Sequence, residues 1–276
     1  MRSHRFGFTG SLLVGVVSVI GLASLLWPFF ISTHANANQA HAHDAPFVLL
    51  LLVPILLGLS AIEMSKGGID ARGIAVLGIL AACGTALRIP SPGVAGLEPV
   101  FFLLVLAGYV YGAPFGFALG GLTMFVSAVA TGGVGPWLPF QMLCAGWVGS
   151  GAGFLPHPRR HERWVLASYT AVACLLYGAA MNLWFWPFVA GSSTSVSYVA
   201  GGGWLVNVKH FLVFDITTSL GFDLPRAVIN VVLIVLLSTP VLVALRRSHR
   251  RTVIQPLSAS GTMEACDISR PPLVER

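Results

Sequence analysis

EPVFFLLVLAGYVYGAPFGFALGGLTMFVSAVATGGVGPWLPFQMLCAGWVGSGAGFL, residues 98–155, lies within a stretch (73–156) that is almost continuously apolar. Three clusters interrupt that stretch: Arg88-Ile89-Pro90-Ser91-Pro92-Gly93, Gly112-Ala113-Pro114 and Gly132-Gly133-Val134-Gly135-Pro136. They divide it into four segments, near 73–88, 98–111, 115–131 and 138–155. A hydrocarbon core needs roughly 20 apolar residues per helix, so several of the four are short. They read as short helices in a crowded bundle, with a re-entrant pair as the alternative.

Outward from this stretch, further spans are predicted near 10–31, 46–64, 164–190 and 226–246, eight in all. Composition agrees. Of 276 residues 55% are hydrophobic and 9% charged, with a mean hydropathy of +0.81. A soluble domain carries roughly 25% charged residues. Too few charges are present to cover a surface in water, which excludes a cytosolic enzyme, a nucleic-acid-binding domain and a disordered regulator. The chain reads as an all-α integral membrane protein.

The +6 net charge comes from short basic clusters between apolar runs. With the N-terminus inside, 13 of the 16 basic residues fall on the inner side and only Arg88, Lys209 and Arg226 outside. That bias is the positive-inside signature, and both termini are expected in the cytoplasm. The first span is taken as an uncleaved anchor, since its apolar run exceeds the roughly 7–15 residues of a signal peptide. Four cysteines without C-x-x-C spacing support neither zinc nor redox chemistry.

Polar residues inside apolar segments are costly and tend to mark function. Asn182, Gln141, Arg226 and Asn230, with Arg88 and Glu98 around the Pro/Gly-rich loop, all fall at the outer ends of their helices. Trp137, Trp184 and Trp186 accompany them. For each alone, an interhelical bond or an interfacial aromatic is sufficient explanation. Their convergence has the composition of a small-molecule site, a cup of tryptophans and amides. The segment 191–225 is read as a lid or a passive external helix, amphipathic from Trp204 to Ser219.

Gly112, Gly116 and Gly120, like Ala145, Gly149 and Gly153, recur every four residues, the spacing of close helix packing in lipid. His34, His41 and His43 are expected in a solvated external loop rather than around a metal. No phosphate-binding G-x-x-x-x-G-K-[ST] occurs, so the chain has no ATPase motif of its own. Ser150 in Val148-Gly149-Ser150-Gly151 lacks a catalytic partner, since His210 falls at the other side.

From about Ala71 to Arg251 the sequence resembles the substrate-binding S-components of energy-coupling factor (ECF) transporters, prokaryotic vitamin-uptake systems. The matching pieces are Arg88-Ile89-Pro90, Glu98-Pro99 and Ala107-Gly108-Tyr109-Val110-Tyr111-Gly112-Ala113-Pro114-Phe115-Gly116. Gly135-Pro136-Trp137-Leu138-Pro139-Phe140-Gln141-Met142 is the most specific, followed by Gly146-Trp147-Val148-Gly149. Met181-Asn182-Leu183-Trp184 and Thr218-Ser219-Leu220-Gly221-Phe222-Asp223-Leu224-Pro225-Arg226-Ala227 extend it. The cobalamin-type branch is the most similar.

The resemblance implies a six-helix core over 71–251, preceded by a two-helix extension over 1–70 and followed by a disordered cytoplasmic tail over 252–276. It implies a multi-pass plasma-membrane subunit that binds a vitamin at the outer face under the loops after its first and fifth core helices. Its partners would be a transmembrane T-component and two ATPases, which use the ATP and Mg; the chain itself needs no cofactor. An Ala-x-x-x-Ala motif would meet the T-component, with Ala71/Ala75 and Ala82/Ala86 as the two registers. The alternatives are a cobalt or nickel uptake subunit, against which the absence of an N-terminal Met-His weighs, a membrane enzyme, or an assembly subunit. On the predicted topology, a cysteine placed at Ser192 is labelled from outside by an impermeant thiol reagent and one at His157 is not. Labelling at 157 overturns the eight-span arrangement.

Overall fold

The computed structural model describes residues 8–30, 71–89, 96–158, 160–189 and 195–253. Among the described residues there are seven helices and no strand: α1 (Phe8–Phe30), α2 (Ala71–Arg88), α3 (Val100–Tyr111), α4 (Ala113–Thr131), α5 (Leu138–Ala152), α6 (Glu162–Val189) and α7 (Trp204–Val253). Helices α4, α6 and α7 are long and apolar enough to cross a membrane. Among the described residues the fold is all-α, as expected from composition. The predicted 46–64 helix, the His34–His43 loop, most of the loop after Arg88, and the tail beyond 253 lie outside the described residues.

The four short segments become α2 to α5. Helix α3 has 12 residues, ten of them buried, and measures only about 18 Å. A helix apolar all round has no water-facing side and belongs inside, so α3 forms the centre of the bundle. Gly112, with φ of 97°, makes the one-residue turn into α4, a backbone setting that favours glycine. Gly132 closes α4 in the left-handed conformation.

The small-residue ladders hold this centre together. A Cβ on Gly116 would collide with the backbone of Gly149, one on Gly108 with the Gly149 carbonyl, and one on Gly120 with the Ala145 carbonyl. Helices α3, α4 and α5 therefore meet backbone to backbone at Gly108, Gly116 and Gly149. In lipid, such close approach replaces the hydrophobic drive that packs helices in water.

Helices α6 and α7 run antiparallel, linked from Asn182–Asp215 at one end to Glu162–Arg246 at the other. Here the structure corrects the sequence reading. The external segment from Trp204 and the last span from 226 are one 50-residue helix, passing through Pro225 and Pro240. The reason is packing. Buried positions Ser219, Asp223, Arg226, Asn230, Ile234, Ser238, Leu242 and Leu245 recur every three or four residues across Pro225 without a change of phase. The lone hydrogen bond lost at Pro225 does not outweigh that continuous seam. The described part of the preceding segment is fastened to both helices: Asn207 of α7 exchanges two hydrogen bonds with Val199, and Trp186 Nε1 of α6 donates to the Val196 carbonyl.

Helix α1 lies against this core. Trp147 Nε1 donates to Ser18 Oγ at 2.9 Å. Trp27 and Phe29 pack into a cluster of Trp186, Phe188, Tyr198 and Phe211. Gly149→Val should destabilise the protein by about 1–3 kcal/mol or more through overpacking. Gly221→Ala, on an open helix face, should be neutral or gain about 0.5–1 kcal/mol. Thermal unfolding in detergent distinguishes them; equal melting temperatures would dismiss the glycine seam.

Candidate functional site

A charge buried among apolar helices survives only when paired and hydrogen-bonded. Arg88, at the C-terminus of α2, and Glu98, just before α3, are both buried, as are Asp223 and Arg226 on α7. Arg226 Nε donates to Glu98 Oε2 at 2.9 Å, and its Nη1 reaches Asp223 Oδ1. Arg88 Nε lies 3.4 Å from Glu98 Oε1. One carboxylate thus sits between two guanidinium groups, and the second acid brings the four charges to zero.

Neutral groups complete the network. Arg88 Nη1 donates to Ser127 Oγ of α4 at 2.8 Å, and Nη2 lies 3.5 Å from Gln141 Oε1 of α5. The Arg226 guanidinium stands 5.2 Å over the Tyr177 ring of α6, a cation–π contact. The Tyr177 hydroxyl is buried without a hydrogen-bond partner. Opposite, α6 has Gly178, where a Cβ would occupy the place of the Asp223 carboxylate. Glycine there admits the acid into the helix interface.

Asn230 ties the network to the backbone. Its Nδ2 donates to the carbonyls of Glu98 and Arg226, and its Oδ1 accepts from the Phe102 N–H. That last bond satisfies an amide in the first turn of α3, which has no acceptor within its own helix. Asn230 is engaged by main chain on three sides, so it positions α3 rather than presenting an unoccupied amide. Asn182 Nδ2, farther along α6, donates to Asp215 Oδ1 at 2.7 Å and contacts Ser219 Oγ.

Of the nine residues singled out in the sequence, Arg88, Glu98, Gln141, Arg226 and Asn230 converge on one network. Asn182 forms a neighbouring polar link. The tryptophans take separate places. Trp137 is 39% exposed and donates to the Gly133 carbonyl within its own turn. Trp184 packs near Phe140 and Phe185. Trp186 is fully buried in the cluster that holds α1. Ser127, Tyr177, Asp215 and Ser219 were not singled out. Only Asp215, an acid in an amphipathic run, gave a usable sign; a serine or tyrosine inside an apolar helix is too common to stand out.

From Arg226 to Arg246, α7 rises by 20 residues, about 30 Å, close to the hydrocarbon thickness of a bilayer. The ion network and the arginine-rich end therefore lie one membrane thickness apart. On α2, Ala75, Ala82 and Ala86 are exposed along one face; Ala71 begins the helix, and its side chain is outside the described residues. Among the described residues no group of three or more His, Cys, Asp or Glu is placed to hold a metal ion.

The sequence profile described as ECF transporter, substrate-specific component, matches residues 72–252, about two thirds of the chain. No curated protein and no solved structure is a significant match.

Removing Glu98 leaves two buried arginines with one acid between them. Glu98→Ala is expected to cost about 3–5 kcal/mol, well beyond the effect of Trp137→Ala at the exposed turn. Comparing the two by thermal unfolding in detergent checks this, and equal effects would show that the network is not buried.

Proposed function

The chain belongs to the ECF transporter substrate-specific components, and from that premise we propose that it binds a vitamin or related small molecule at the end carrying the Glu98 network. It is a membrane-embedded transport subunit, not an enzyme, and its family works with a T-component and ATPases. The observation that carries the proposed site is the convergence of Arg88, Glu98, Gln141 and Arg226 from four parts of the chain on one buried cluster. A bundle built only for packing has no use for four charges in its interior.

On this reading the network end faces outside and the arginine-rich end the cytoplasm, in line with the distribution of basic residues. The chain then has eight spans with both termini inside, in a prokaryotic plasma membrane. Residues 71–251 form the core, 1–70 an added helix pair and 252–276 a tail. Arg88, Gln141 and Asn182 are the groups best placed to exchange their present bonds for ligand atoms. Glu98, Arg226 and Asn230 hold the floor beneath them; Trp186, buried against α1, and Trp137, on its own turn, stand apart from it. The cobalamin-type branch remains the proposed substrate class, supported by the sequence motifs alone. ATP and Mg act on the partner ATPases, and this chain needs no cofactor. The exposed Ala75, Ala82 and Ala86 face is the proposed contact with the T-component.

Mass spectrometry of small molecules co-purified with the protein from its native host should reveal one tightly bound ligand. With that ligand, Asn182→Ala is expected to weaken binding by about two- to tenfold in isothermal titration, the loss of one or two hydrogen bonds. Unchanged affinity in Asn182→Ala, Gln141→Ala and Arg88→Gln together would move the site elsewhere. In a separate test, Ala75→Trp, about 20 Å along α2 from Arg88, should abolish co-purification of the T-component while leaving ligand affinity intact. Retained assembly would reject that face.

A further inference from the structure

At the end opposite the ion network, a cavity of about 360 Å³ opens between the first turn of α6 and the last third of α7. Arg160, Arg163 and Arg246 line it, and Glu162 is the one acid among its lining residues. Glu162 pairs with Arg246 and also accepts from the Tyr109 hydroxyl at 2.9 Å. The cavity therefore keeps a net charge of about two positive units, with Arg246 held in position. Arg163 Nη2 donates to Thr239 Oγ1 at 3.1 Å, which uses one of the five N–H donors that a guanidinium carries.

The remaining walls differ in kind. Ser238 and Thr239 add hydroxyls, while Leu242 and Val243 make an apolar side. Trp164, also on the rim, is 62% exposed. From Val243 on the cavity wall, Leu236, seven residues away on α7, continues an exposed apolar face. The result is a pocket with clustered arginines at its head, an interfacial tryptophan beside it, and an apolar strip leading away along a membrane-crossing helix.

We propose that this cavity binds the phosphate headgroup of an anionic phospholipid, whose acyl chains lie along α7. Arginine forks suit phosphate oxygens, and basic pockets between membrane helices are the setting in which anionic headgroups bind. A soluble phosphate would use the arginines but gain nothing from the apolar strip or from Trp164. That difference selects the lipid. The site is independent of the substrate reading, because it lies one membrane thickness away from the ion network.

The test uses the purified full-length protein in nanodiscs of phosphatidylcholine with or without phosphatidylglycerol. Native mass spectrometry should find phosphatidylglycerol retained over phosphatidylcholine. Arg160→Gln with Arg163→Gln should lower that retention by at least about fivefold, near the worth of a single basic residue at a charged membrane surface. Arg160→Gln alone, at an exposed position, gives a second variant should the double variant not fold, with a smaller loss expected. Glycerol phosphate and inorganic phosphate, added at millimolar concentration, should not displace the lipid. Equal retention of the two lipids, or unchanged retention in the variants, overturns the proposal. Displacement by free phosphate would make the site one for a soluble anion and overturn the lipid assignment.

Discussion

Glu98 sits between two arginines at the entrance to the central helix, and the arrangement of α2 to α7 follows from keeping it satisfied. A carboxylate buried in a membrane bundle is held there by its counter-charges, and these come from the end of α2 and the middle of α7. Asn230 then fixes the Glu98 carbonyl and the first turn of α3 to α7. On α6, the Tyr177 ring lies under the Arg226 guanidinium and Gly178 makes room for the Asp223 carboxylate. Removing the carboxylate would unpair Arg88 on α2 and leave Arg226 on α7 with Asp223 as its one remaining acid.

The second constraint acts below that network. Helix α3 is too short to cross a bilayer alone and is covered on nearly every side. Its neighbours approach closely because Gly108, Gly116 and Gly149 bring three backbones into contact. The polar floor is thereby supported by a rigid glycine-packed centre. The α6–α7 pair carries the polar groups on from there, with Asn182, Asp215 and Ser219 above the floor.

The two ends of α7 differ in chemistry as a consequence of the same seam. Around Arg226 the helix pairs its charges internally, to a net of zero. Around Arg246 the arginines outnumber the acid and line an open cavity. A neutral, closed cluster suits selective binding of a small ligand; an unbalanced, open one suits an anion at a membrane surface. The two ends of one helix thus differ in charge balance and lie about 30 Å apart.

Membrane embedding, the helical class, the divisions at Gly112-Ala113-Pro114 and Gly132–Pro136, and the small-residue ladders were all legible in the chain. Each follows from local properties: hydropathy, the backbone demands of glycine and proline, and a four-residue repeat. Arg88, Glu98, Gln141, Arg226 and Asn230, which the structure joins in one network, were likewise recognisable, because a charge or amide in an apolar segment is conspicuous by itself. The continuity of α7 through Pro225 was not legible, because proline signals a break locally and only the partner helix supplies the buried stripe that overrides it. The same holds for Ser127, Tyr177 and Ser219, whose roles depend on which side chain lies opposite. The tryptophans gave the reverse lesson. Their places near helix ends were readable, but a place along a helix says nothing of direction, and packing turned Trp186 toward α1 and left Trp137 on its own turn.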